Sequence, residues 1–338
     1  MRVAAPLKRV DRLLSNRQMH SARFRIYQAV ALRIIRQPQP VIIVDWSELT
    51  GDGRWQLLRA SVALKGRSLT LYEEAHSQRV LSSPRVHKAF VKRLKALLPA
   101  SCQPIVVTDA GFHTPWFREV EAAGWLWMGR VRGTIKACIV DDDKPLAPFL
   151  PVRDYFHGAT RKAEALGQHR LTQRSAMPCW LVRVKRQAQG RHALRQRDRQ
   201  RAGGGKTSHM ARSQTEPWVL ACSPELADYS PSRLVRLYGR RMQIEASFRD
   251  LKSHHFGCSF EDTQTRKGPR LEMLLLIHML ATLVAWLAGL ASRHQHETQF
   301  KLSLLRRGWE QLRQSNQRLD ARRRLPWGEL RSMVASHA

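Results

Sequence analysis

The chain has 338 residues, enough for one large or two modest domains, and 43% of them are apolar, enough for a sizeable core. Its 58 Lys and Arg against 27 Asp and Glu leave a formal net charge of +31 spread along the whole chain, which points to a polyanionic partner, nucleic acid ahead of a membrane surface. Five scattered cysteines with no CxxC pair argue against a zinc site or a disulfide framework and fit a reducing cytoplasm; the N-terminal MRVAAPLKRVDRLL lacks the apolar core of a signal peptide.

Residues 7–37 read as a basic helical segment that stops at Pro38 and Pro40. VIIVDWSE (41–48) is a β-branched run of buried-strand type that carries Asp45, and residues 55–75 read as two further strands turning near Gly66. Helical spacing returns over 84–98, with Ser82 or Ser83 as N-cap and Pro99 as stop. QPIVVTDAG (103–111) is another apolar strand, closing on Asp109; a short helix (115–123) and a strand (125–133) follow. This order predicts an α/β fold with a mixed sheet covered by helices.

Residues 134–225 break the rhythm with strand-like pieces (IKACIV, CWLVRVK, PWVLAC) and a basic, Gly-rich stretch, and read as a β-rich insertion. Within it GGGKTS (203–208) resembles the end of a phosphate-binding loop. The full pattern needs a Gly where Gln200 stands and an apolar strand before it, so a basic loop is the better reading. Asp141 to Asp143 read as a solvated turn before Pro145. Ser230–Pro231 opens a helical C-terminal part. There, Met273 to Ala291 is nearly apolar and close to the ~20 residues a membrane span needs. It contains His278 and stands alone in a very basic chain, so it is expected to be a buried core helix, with no membrane.

YGRRMQIEASFRDLKS carries Tyr238, Arg241, Glu245 and Lys252, spaced Y-x2-R-x3-E-x6-K. Read as one helix, at about 100° per residue, the four side chains fall within roughly 60° of arc. Two readings stand for this stripe: a solvated face with an i, i+4 Arg241–Glu245 pair, or a carboxylate flanked by phosphate-holding groups. Asp45 and Asp109 also have two readings each. Asp45 is a strand-end turn residue or a metal ligand; Asp109 is an Asx-turn before Gly111 or a metal ligand. If their strands are neighbours, Glu245 could complete a three-carboxylate site for two Mg²⁺ or Mn²⁺ ions.

The strand with Asp45, the later VTDAG strand and the Y-x2-R-x3-E-x6-K motif together resemble the DDE transposases of insertion-sequence family four, over residues from about 7 to 290. The resemblance implies a ribonuclease-H-like catalytic core interrupted by a β-rich insertion. The expected division is a basic N-terminal segment (1–40), the core in two parts (41–133 and 229–292), the insertion (134–228) and a basic helical tail (293–338). It implies catalytic, metal-binding roles for Asp45, Asp109 and Glu245, and DNA contacts for Tyr238, Arg241 and Lys252. Trp218 matches the position that stacks on a flipped base in relatives that cut through a DNA hairpin; the alternative is a core Trp on an inward strand face.

The implied reaction is cut-and-paste transposition: nicking, hairpin formation and opening, then strand transfer. It would be carried out by a homodimer on paired double-stranded DNA ends, in the bacterial cytoplasm at the nucleoid. Only 44 residues precede Asp45, fewer than the family usually carries, so residues 7–37 are expected to be the remnant of an end-recognition region. That shortness leaves a rival reading, a catalytically inactive DNA-binding derivative of such an enzyme.

Overall fold

The computed structural model describes residues 4–142, 144–186, 216–254, 257–292, 303–314 and 325–334. They divide into two units, one made of Met1–Val106, Ala123–Trp125 and Arg240–Ala338, the other of Val107–Ala122 and Leu126–Gly239. GGGKTS and Asp143 lie outside the described residues.

In the first unit, β1 (Val41–Glu48), β2 (Trp55–Ala63) and β3 (Ser68–Ser77) form an antiparallel meander. Gly66 turns the chain between β2 and β3 at φ +89°, a conformation that costs a Cβ-bearing residue ~1 kcal/mol or more. β4 (Ile105–Thr108) starts in this unit, where the Ile105 amide donates to the Pro40 carbonyl at 3.0 Å. The basic N-terminal segment is two helices rather than one, α1 (Ala4–Leu14) and α2 (Arg17–Ile34). Asn16 separates them and caps α2, its side chain accepting from the amides of Gln18 and Met19. α3 (Pro84–Leu97) begins with Pro at its first position, where a missing N–H is harmless, and buries Phe90, Val91, Leu94 and Leu97 at helical spacing.

The second unit holds α4 (Thr114–Ala122), β5 (Leu126–Val131), β6 (Lys136–Asp141), the short β7 (Lys144–Pro145) and β8 (Leu150–Pro151), β9 (Glu164–Leu171), β10 (Met177–Val184), β11 (Trp218–Cys222) and α5 (Pro231–Gly239). β5, β11, β10, β9 and β6 lie side by side in that order, all antiparallel. The three expected strand pieces are β6, β10 and β11; β9 was not foreseen, because EALGQHRL carries a Gly and four polar residues. Asp141, the last residue of β6, and Asp142, in the turn after it, are both exposed, as expected. The core of this unit is aromatic, with Phe117 stacked on Trp127 at 4.2 Å between ring centres.

The chain returns to the first unit with α6 (Met242–Lys252), α7 (Gly268–Ala291), α8 (Leu304–Gln314) and α9 (Trp327–Ser332). α7 contains the apolar run and is long and apolar enough to cross a membrane. Within this unit it packs against β3, α2, α8 and α9, burying Leu271, Leu275, Leu276, Met279, Leu283 and Trp286. Each such side chain removed from water contributes about 1.5–3 kcal/mol. Gly289 and Gly308 let α7 and α8 meet backbone to backbone: a Cβ on Gly308 would fall 1.7 Å from the Ala285 carbonyl oxygen. His278 is half-buried at the edge of this packing, 3.2 Å from Cys258 Sγ through Nδ1 and 3.5 Å from Thr282 Oγ1 through Nε2. Burial, reinforced by the charge of Arg59, pushes the His278 pKa down to about 3.

Candidate active site

Asp45 lies within β1, almost fully buried, in a run whose other members are mostly apolar. An isolated buried carboxylate is costly, so the position requires partners. One oxygen accepts from the Trp46 amide at 2.8 Å; the other faces Arg241 Nη1 at 3.3 Å. Arg241 Nη2 continues to Glu245 Oε1 at 2.6 Å. A single guanidinium therefore joins two of the three carboxylates that the sequence singled out. The fork of N–H donors fits that task, because it presents separate donors to two acceptors in one plane. Asp45 and Arg241 are largely withdrawn from water, whereas the Glu245 side chain is 41% exposed.

The motif is not one helix. α5 ends at Gly239, Arg240 and Arg241 form a turn, and α6 begins at Met242. The turn tightens to i→i+3 bonds, Gln243 N to Arg240 O at 2.9 Å and Ile244 N to Arg241 O at 3.1 Å. Gly239 weakens helix continuity there by about 1 kcal/mol relative to Ala. Tyr238 accordingly closes a helix of the second unit, while Arg241, Glu245 and Lys252 belong to the first, so the four-residue stripe is corrected to a three-residue one. Arg241 and Glu245 do form the i, i+4 ion pair of the first reading. Lys252, at the last turn of α6, faces Glu261 at 3.4 Å.

α6 is fixed to the meander by residues that the sequence pattern did not single out. Ile244, Phe248 and Leu251 bury one face. Gln243 donates to the Leu64 carbonyl at 2.9 Å, and Arg67 pairs with Asp250. Arg59 is the central link. Strand register sets Asp45 opposite Arg59 and Arg59 opposite Glu73, which places the three in one row across the sheet. Arg59 is almost fully buried, bonds Glu73 at 2.7 Å, donates to Ser247 Oγ of α6 at 3.1 Å and lies over the Phe248 ring at 5.2 Å. Glu73 in turn accepts from Tyr27 at 3.1 Å. The available signal was an Arg inside WQLLRASVA and a Glu pair inside SLTLYEEA, ionisable groups in apolar strands.

In the second unit Asp109 directly follows β4 and accepts from the Gly111 amide at 2.8 Å, the geometry of an Asx-turn. That turn uses one of its two carboxylate oxygens. Trp218 opens β11 opposite Val184. It is half-buried, and the nearly buried Tyr238 ring stands edge-on to it at 5.0 Å between centres. Two cations approach the same indole: the guanidinium carbon of Arg186 at 4.9 Å from the ring centre and that of Arg130 at 5.9 Å. Trp218 is thus neither a plain core residue nor an isolated platform.

A protein-family profile described as "Transposase DDE domain" matches residues 36–284, most of the chain, and no match is found among curated proteins. The chain belongs to the DDE transposases, enzymes that recombine DNA, and its α/β architecture is consistent with their ribonuclease-H-like fold. Its excess of positive charge accords with DNA as the partner. The family generally uses divalent metals. The donor set fits such an ion in kind: Asp45 and Glu245 offer hard oxygens and already converge on one cationic group. Among the described residues, however, no group of three or more His, Cys, Asp or Glu side chains is close enough to hold one together.

Proposed function

We propose that this chain is a cut-and-paste transposase of insertion-sequence family four, acting through Asp45, Asp109 and Glu245. The observation that carries the reading is the Arg241 bridge. Two carboxylates far apart in sequence, on β1 and α6, meet at a single positive charge. Asp45, Asp109 and Glu245 would hold two Mg²⁺ or Mn²⁺ ions. When bound, such ions supply an activated oxygen nucleophile and stabilise the leaving oxygen in phosphodiester cleavage.

The remaining roles fall to side chains that touch DNA. Arg241 and Lys252 orient backbone phosphate at the transposon end, each exchanging a carboxylate partner for a phosphate oxygen. Trp218, with Tyr238 at its edge, stacks on a base turned out of the duplex during hairpin formation and opening. Residues 134–228 act as the β-rich insertion of a ribonuclease-H-like core, and the working form is a homodimer on paired ends in the cytoplasm.

The test is cleavage of DNA carrying the element's terminal repeats, with Mg²⁺ present. Asp109→Ala is expected to bind that DNA and leave it uncut. If Glu245→Ala cuts as well as the unaltered protein, the assignment of the site is wrong. If the unaltered protein binds without cutting, the chain is an inactive DNA-binding derivative instead.

A further inference from the structure

The second unit carries a basic groove. Arg161, Lys185, Arg186 and Arg236 line an open groove of about 430 Å³, together with Val184 and Gly239. The cations come from three places: the loop before β9, the chain just after β10, and α5. Among the described residues, no ion pair joins any of the four to a carboxylate. Neighbouring Arg183 shows the contrast, since it is paired with Glu164 at 2.8 Å and is not part of the groove lining.

One of the four has a local explanation. Arg236 sits in the last turn of α5, where a cation complements the helix dipole. That does not account for the other three. Like charges gathered around a concavity repel one another, and are best explained by an anion that neutralises several at once. The groove is also joined to the aromatic pair, because Arg186 both lines it and stands over Trp218.

We propose that this groove holds the phosphodiester backbone of the DNA strand whose base reaches Trp218. The backbone part rests on the charges alone; the base part rests on the cut-and-paste reading. Arg161, Lys185 and Arg236 grip successive phosphates, and Arg186 lies between the backbone and the stacked base.

Binding of the full-length protein to a single-stranded oligonucleotide, followed by anisotropy across a salt series, tests the groove, since backbone recognition does not depend on sequence. The variant R161A/K185A/R236A is expected to bind more weakly, with the slope of log K against log salt reduced by about 0.7 for each phosphate no longer neutralised. R161K/R236K, which keeps the charges, is expected to retain the slope. R85A/K92A removes two exposed cations from α3 and is expected to leave the slope unchanged. Equal slopes for the triple variant and the unaltered protein would overturn the proposal. So would an equal reduction per charge in R85A/K92A, which would reduce the groove to general net charge. A groove effect on single strands without selective binding to terminal repeats would keep this site and sink the cut-and-paste reading.

Discussion

In the first unit Asp45, Arg241 and Glu245 share two ion pairs, and Lys252, Arg59 and Arg67 each have an acidic partner. In the second unit four cations line one groove with no carboxylate partner among the described residues. The difference distinguishes two uses of charge. Paired charges fix side chains and hold carboxylates ready at low electrostatic cost; unpaired, convergent ones leave their neutralisation to a ligand. On the reading proposed above, the carboxylates of the first set serve the chemistry, and the second set adds to the cations that hold the polyanion.

The largest effect that sharpens this contrast concerns the paired set. Glu245→Ala or Asp45→Ala is expected to lower the rate of DNA cleavage by roughly 10³-fold or more, the several kcal/mol that a properly held ion supplies. Binding measured on the same DNA should change little. A comparable fall in cleavage from a groove substitution would blur the division of labour.

Arg59→Ala is next. It leaves Glu73 charged and buried, and is expected to cost about 3–5 kcal/mol in urea unfolding. Replacing both partners, as in Arg59→Met with Glu73→Leu, should recover much of that stability. If the single change costs under about 1 kcal/mol, Arg59 is not the link between the meander and α6.

His278 gives a pH test. Its folded pKa of about 3 lies below the ~6.5 of an unfolded His, so the unfolded state binds the extra proton between those values. Its contribution is present above about pH 6.5 and is lost as pH falls toward 3, at about 1.4 kcal/mol per unit. His278→Asn should flatten that part of the stability profile, as read from denaturant midpoints at pH 4, 5 and 6.

The smallest effects lie in the second unit. Trp218→Ala is expected to weaken hairpin formation or opening by about 1–3 kcal/mol of stacking while sparing the first nick. An equal defect at every step would argue for a packing role. Its effect on melting should stay below that of Arg59→Ala.

Much of this was legible in the sequence for reasons that can be named. β1 matched its expected ends because a β-branched run stopped at a polar pair, and α3 matched because Pro84 and Pro99 bracket an amphipathic pattern. Asp45 and Glu245, which Arg241 joins, stood out in the sequence because carboxylates in otherwise apolar or motif-bearing stretches need a reason. What escaped depends on partners distant in the chain. The break after Gly239 was hidden because Arg240 to Lys252 all tolerate a helix. Arg59 and Glu73 gained meaning only when strand register set them in a row with Asp45. Arg186 looked like one more basic residue until pairing of Val184 with Trp218 brought it over the indole.

The Arg241 bridge has a consequence for how such a protein lives before it meets its substrates. Two converging carboxylates would repel each other in a chain that had yet to acquire an ion. A resident guanidinium removes that repulsion with an atom set encoded in the chain itself. On the proposed reading, folding of the first unit would then not wait for the supply of metal. Arg241→Ala should make it dependent, with a melting temperature that rises on adding Mg²⁺ far more than that of the unaltered protein.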